Sequence, residues 1–136
     1  MSSKIFLASS SHIRSEMLAN ADILHESIPA YIDEDSVKIK LLSNNTPHYE
    51  IAKQLADMKA QKVAMQRPRG YVIGCDQLLS FEGKIYSKPK NKLALKNQLR
   101  EMSGKTHKLI SVAVVYKDMK PIWCHAGSAK LTMRKL

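Results

Sequence analysis

The sequence predicts an α/β fold, a mixed sheet flanked by helices, forming a single domain over residues 1–136. Three observations lead there. Short apolar runs of strand character alternate with stretches of helical period, the pattern of a layered α/β domain. The first such run, residues 4–8, passes directly into a serine-rich helix start. Residues 71–75, Tyr-Val-Ile-Gly-Cys, form a continuous apolar run typical of a strand buried on both faces.

In chain order, a strand at 4–8 precedes a helix over about 12–21 and a short strand near 25–30. A loop then carries Asp33-Glu34-Asp35, and a long helix covers 47–64. The buried strand at 71–75 is followed by a strand pair turning at Glu82-Gly83 and a third helix over about 90–102. That helix repeats Leu95, Leu99 and Met102 and stops at Ser103-Gly104, with Gly104 as its C′ residue. Strands near 107–116 and 122–134, joined by the turn Lys117-Asp118-Met119-Lys120, complete the sheet. The last of them lies at the C-terminus, an edge that suggests a following segment or a covering partner.

Composition excludes several classes. The opening apolar run is too short for a signal peptide, and no segment approaches a membrane span. Cys75 and Cys124 match no metal or redox spacing; both read as buried reduced thiols, which suits the cytoplasm. The net charge of +10 invites nucleic acid. However, the lysines are spread along the chain, and its two phenylalanines, one tryptophan and five tyrosines are not interleaved with them. A basic chain equally suits a small polyphosphate. The five histidines show no H-x-H or H-E-x-x-H spacing, so zinc is not indicated.

The residues suited to chemistry follow the strands. Ser9, Ser10 and Ser11 with Arg14 bring hydroxyls, free N–H groups and a guanidinium to a helix N-terminus, where phosphate binds well, although serines there most often serve as plain N-caps. Asp76, read as lying just beyond the buried strand, is placed to hold a divalent cation or take a proton from water; the simpler role is closing a turn. Three adjacent carboxylates at 33–35 repel each other unless a cation neutralises them, as Mg²⁺ or Mn²⁺ would; otherwise they form an exposed acidic loop. In the long helix, Ile51, Leu55 and Met58 define an apolar stripe and Lys59 falls inside its arc. Periodicity leaves two choices open, a lysine snorkelling to water or one reaching into an anion cleft. Lys88 is conformationally restricted by Pro89 ahead of the third helix.

In order, LASSSHIRSEML (7–18), DED (33–35), LADMKAQKVA (55–64), VIGCDQLL (72–79), SKP (87–89) and SGKTHKLISVAVV (103–115) resemble the Maf family of nucleoside triphosphate pyrophosphatases. The resemblance implies an inosine-triphosphate-pyrophosphatase-like fold and hydrolysis of a nucleoside triphosphate to its monophosphate and pyrophosphate with a divalent cation. It also implies a house-cleaning role, a link to septum formation, and dimers. By position it assigns Ser9, Ser11 and Arg14 to the triphosphate, Glu34 and Asp76 to metal and attacking water, and Lys59 and Lys88 to the phosphate charge. Ser11-His12-Ile13-Arg14 stands where many members have Ser-Pro-Arg-Arg, and Cys75-Asp76-Gln77 where many have Ala-Asp-Thr. Both departures are more similar to members acting on 7-methyl-GTP than to those acting on dTTP or UTP. Family members also continue past the strand near Leu131 into a second lobe. A chain without that lobe is either an active pyrophosphatase or a catalytically silent nucleotide-binding fragment; a basic nucleic-acid binder is the third alternative.

Overall fold

A computed structural model of the protein describes residues 4–136. Its elements are β1 (Ile5–Leu7), α1 (His12–Asn20), β2 (Glu26–Ser27), α2 (Glu34–Ser43), α3 (His48–Gln66), β3 (Tyr71–Phe81), β4 (Lys84–Tyr86), α4 (Lys92–Met102), β5 (Thr106–Lys117) and β6 (Lys120–Thr132). The sheet runs β2-β1-β3-β5-β6, with β4 paired to the far end of β3. β1 is parallel to both β2 and β3, whereas β3, β5 and β6 are successively antiparallel. This is the mixed α/β sheet expected.

α3 is the helix that builds the core. Its inward face, Ile51, Ala52, Leu55, Ala56, Ala60 and Val63, is fully buried against Val72 of β3 and Val112 and Val114 of β5. The close approach depends on Gly74, where a Cβ would stand 2.3 Å from the Ala56 carbonyl oxygen and 2.7 Å from the Ala60 Cβ. Tyr116 pins the same helix from β5: its hydroxyl donates to Asp57 at 3.1 Å and accepts from Gln61 at 3.2 Å.

Both hairpins turn on two residues at positive φ, Glu82-Gly83 between β3 and β4 and Asp118-Met119 between β5 and β6. That conformation matches the strand twist. β6 is exposed along its whole length.

Four features differ from the sequence reading. Residues 33–35 are not a loop: Asp33 is the N-cap of α2, accepting from the Ser36 N–H at 3.2 Å, and Glu34 and Asp35 form its first turn. β3 does not stop at Cys75 but continues to Phe81, because β5 pairs with it from Tyr71 to Ser80. Cys124 faces solvent on β6 and Cys75 is half-buried, so neither thiol is a core residue. The third helix begins at Lys92, capped by the Asn91 side chain, and of its expected stripe only Met102 is buried.

Candidate active site

The ends of the parallel strands are unequal, and that inequality creates the site. β1 pairs with β3 only as far as Leu7 and Ile73, and the next hydrogen bond, from Ala8 N–H to the Ile73 carbonyl, is the last between them. β3 runs on, so Cys75 and Asp76 border the gap left where β1 turns away. Asp76 is thus mid-strand in β3, yet it still lies past the carboxyl end of β1, where ligands of open α/β sheets bind.

β1 leads into the α1 start, whose groups are organised around Ser9. The Ser9 hydroxyl accepts from the Ser11 N–H at 3.0 Å and from Arg14 Nη1 at 3.4 Å. Ser11 caps α1, its hydroxyl accepting from the Arg14 N–H at 3.3 Å. Arg14 Nη1 also donates to the Cys75 carbonyl at 3.4 Å, tying the helix start to β3. Neither atom gives the guanidinium a counter-charge. The plain N-cap role falls to Ser11, while the Ser9 hydroxyl faces Arg14 and the Ser11 N–H.

Opposite this lies a buried charge cluster. Lys59 Nζ contacts Asp76 Oδ1 at 2.9 Å and Glu34 Oε1 at 2.7 Å, and donates to the Cys75 carbonyl at 3.4 Å. Its stem is held by the apolar stripe of α3, and it is only 9% exposed, so it does not snorkel to water. Of the acidic trio, Glu34 alone reaches the cluster; Asp33 and Asp35 are exposed. Asp76 is 6% exposed, and its second oxygen, Oδ2, is buried with no hydrogen-bond partner.

Burial and charge act in opposite directions on these groups. Burial pushes the Asp76 carboxyl up, and the Lys59 charge only partly offsets it, so its affinity for a proton is raised. Burial also pushes Glu34 up, but the bond and charge of Lys59 prevail and hold it below its usual range. Burial alone would weaken the Lys59 ammonium; Asp76 and Glu34 outweigh it, and Lys59 stays charged.

Lys88 is on the exposed segment between β4 and α4 and forms no ion pair among the described residues. Sequence reasoning passed over Lys38, the residue one turn along α2 from Glu34, because α2 itself went unread. The signal was present: an Asp N-cap three residues before Ser36, acids in the first turn and Lys40 in the last.

The donor set can be tested against a divalent cation. Among the described residues no three His, Cys, Asp or Glu side chains gather as a metal site. Two carboxylates with one bare buried oxygen suit Mg²⁺ or Mn²⁺, which complete their shells with water and substrate phosphate.

A family model described as Maf-like protein matches residues 4–136. A nucleoside triphosphate pyrophosphatase of Ruegeria sp. (strain TM1040) is 45% identical over 134 residues, covering 98% of this chain and 67% of that protein. A 7-methyl-GTP pyrophosphatase of Mesorhizobium japonicum is 40% identical over 136 residues, 100% of this chain and 68% of its own length. Among solved structures, the HAM1 protein from Coxiella burnetii superposes with a TM-score of 0.58 at 16% identity, covering 96% of this chain and 73% of that one. At that identity the likeness is one of fold.

Proposed function

On the premise that this chain belongs to the Maf-like protein family, we propose that it is a pyrophosphatase cleaving the α–β phosphoanhydride of a nucleoside triphosphate. Water attacks the α-phosphorus in line, a P–O bond forms, and the bond to the β-phosphate oxygen breaks with its electron pair leaving on pyrophosphate. The observation that supports this most is the bare, buried Oδ2 of Asp76. Its raised proton affinity suits it to accept the proton that the water gives up. Ser9, Ser11 and Arg14 bind the phosphate chain at the α1 start, where unpaired N–H groups and the helix dipole favour an anion. Lys59 holds Asp76 and Glu34 in place and balances their charge. Lys88, exposed between β4 and α4 and in no ion pair among the described residues, is the further positive group offered to the phosphate charge. Asp76 and Glu34 would hold a divalent cation, which would supply charge for the phosphate oxygens and a stronger water nucleophile.

The name of the Mesorhizobium relative supports 7-methyl-GTP as the first nucleotide to try; a house-cleaning role in the cytoplasm is part of the proposal. No helix among the described residues is long and apolar enough to cross a membrane. The test is pyrophosphate release with Mg²⁺ or Mn²⁺ from 7-methyl-GTP, dTTP, UTP, CTP, GTP and ITP. Asp76→Asn should lower turnover by at least about a hundredfold, the usual weight of a general base. The chain spans 67% of the length of its Ruegeria relative; a second reading is binding without turnover, with β6 exposed along its length. A folded wild type that binds nucleotide but releases no pyrophosphate would decide for it, and a dimer along β6 would accompany it.

A further inference from the structure

α2 carries a second inward-facing lysine. Glu34, Val37, Lys38 and Leu41 follow the i, i+3, i+4, i+7 spacing of one helix face. Two independent contacts show that this face turns toward the site and core. Val37 and Leu41 pack against the buried cluster, and Glu34 reaches Lys59 at 2.7 Å. Lys38 lies between them on the same stripe and is half-buried, whereas Ile39 and Lys40, on the other side of the helix, are exposed.

Lys59 in α3 provides the comparison. It too is a lysine on an inward stripe, and two carboxylates contact it. Lys38 takes part in none of the ion pairs among the described residues. Glu34 is its neighbour one turn back, with Oε1 held by Lys59 at 2.7 Å and no contact to Lys38 within ion-pair distance. The Lys38 charge acts on Glu34 and Asp76 from beyond ion-pair distance, so it faces the same site with no carboxylate in contact among the described residues and its donors open to an anion. With Arg14, which is in no ion pair among the described residues, Lys38 leaves the site with more positive than negative groups: Arg14, Lys38 and Lys59 against Glu34 and Asp76. A polyphosphate corrects that imbalance.

We propose that Lys38 is a phosphate-contacting residue of this site, donating to a non-bridging oxygen of the bound nucleotide's phosphate chain. The proposal rests on the nucleotide-binding reading above and adds a substrate contact from α2, an element otherwise represented there only by Glu34. It also gives α2 a reason to carry a lysine on a face that is otherwise apolar or committed to Lys59.

The experiment is calorimetric titration of the full chain with inorganic tripolyphosphate in EDTA, so that neither turnover nor metal enters the readout. Lys38→Gln should weaken binding about tenfold, the usual worth of a charge-assisted hydrogen bond. Lys38→Arg should restore most of it, and Lys40→Gln, one turn-face away, should leave it within twofold of wild type. Thermal melts of each variant separate lost binding from lost folding. Lys38→Gln binding as tightly as Lys40→Gln would overturn the role of Lys38 while leaving the nucleotide reading intact. A folded wild type that does not bind tripolyphosphate at all would remove both.

Discussion

Lys59 Nζ lies 2.9 Å from Asp76 Oδ1 at the contact between α3 and β3, and the other oxygen of the same carboxylate has no partner. One half of Asp76 is therefore structural and the other half is available for chemistry. The pairing holds the carboxylate still, and the bare oxygen is what the pairing positions.

Removing the ammonium should expose how much of the fold leans on it. Lys59→Met keeps the stem but leaves Asp76 and Glu34 side by side without a counter-charge. A loss of about 3 kcal/mol in urea unfolding at neutral pH is expected, as for other buried pairs broken on one side. The double variant Lys59→Met, Asp76→Leu should recover a good part of it. If it unfolds as easily as the single variant, charge repulsion is not the cause.

The pH dependence of stability carries a sign. Because burial raises the Asp76 pKa above its ordinary 3.8, the folded state holds that proton more tightly than the unfolded one. Its contribution therefore falls as pH rises from 3.8 through the folded value. Asp76→Asn removes that term, so the melting temperature of the variant should gain on wild type as pH increases across the window. Glu34 runs the other way: its lowered pKa gives stability above 4.5 that is lost on acidification, in wild type and variant alike. Melts at a series of pH values would show the gap, and a gap that shrinks with rising pH contradicts the raised Asp76.

Gly74 sets the distance between α3 and β3. Gly74→Ala should cost about 3 kcal/mol or more, since the added methyl meets the backbone carbonyl of Ala56 and not a side chain that could swing away. Because Lys59 follows Ala56 by less than one turn, the same change should displace it from Asp76. Phosphate affinity would then fall in the folded fraction along with stability, and an undiminished affinity would mean that α3 shifts without moving Lys59.

Much of this was legible from the residues. The run at 71–75 gave a central strand, though only one of its faces is buried and the other is half-buried, and the apolar arc around Lys59 marked the one helical lysine that reaches the cluster from α3. Its destination could not be read, because periodicity gives direction and not the partner across the gap. α2 went unread for a physical reason. Its apolar residues are split between faces, Val37 and Leu41 inward but Ile39 outward at 69% exposure, so no clean stripe shows. The extent of β3 was hidden because Asp76 and Gln77 interrupt the apolar run, while the pairing that extends the strand comes from β5, far along the chain. That Ser9, Ser11 and Arg14 lie together was legible because all three belong to one helix start, where their hydrogen bonds join them.

The open strand β6 has a consequence for handling the protein. Thirteen residues with a bare hydrogen-bonding edge form a template on which another chain could lay itself. Two features discourage this: Pro121 near the start of the strand, and Lys130 standing directly across from Lys108 so that like charges face any newcomer. Added salt screens the second within a Debye length of about 10 Å at 0.1 M but does nothing to the first. Crowded, salty samples are accordingly where strands would zip together, and rate constants are best measured dilute, at low ionic strength and over a range of protein concentrations.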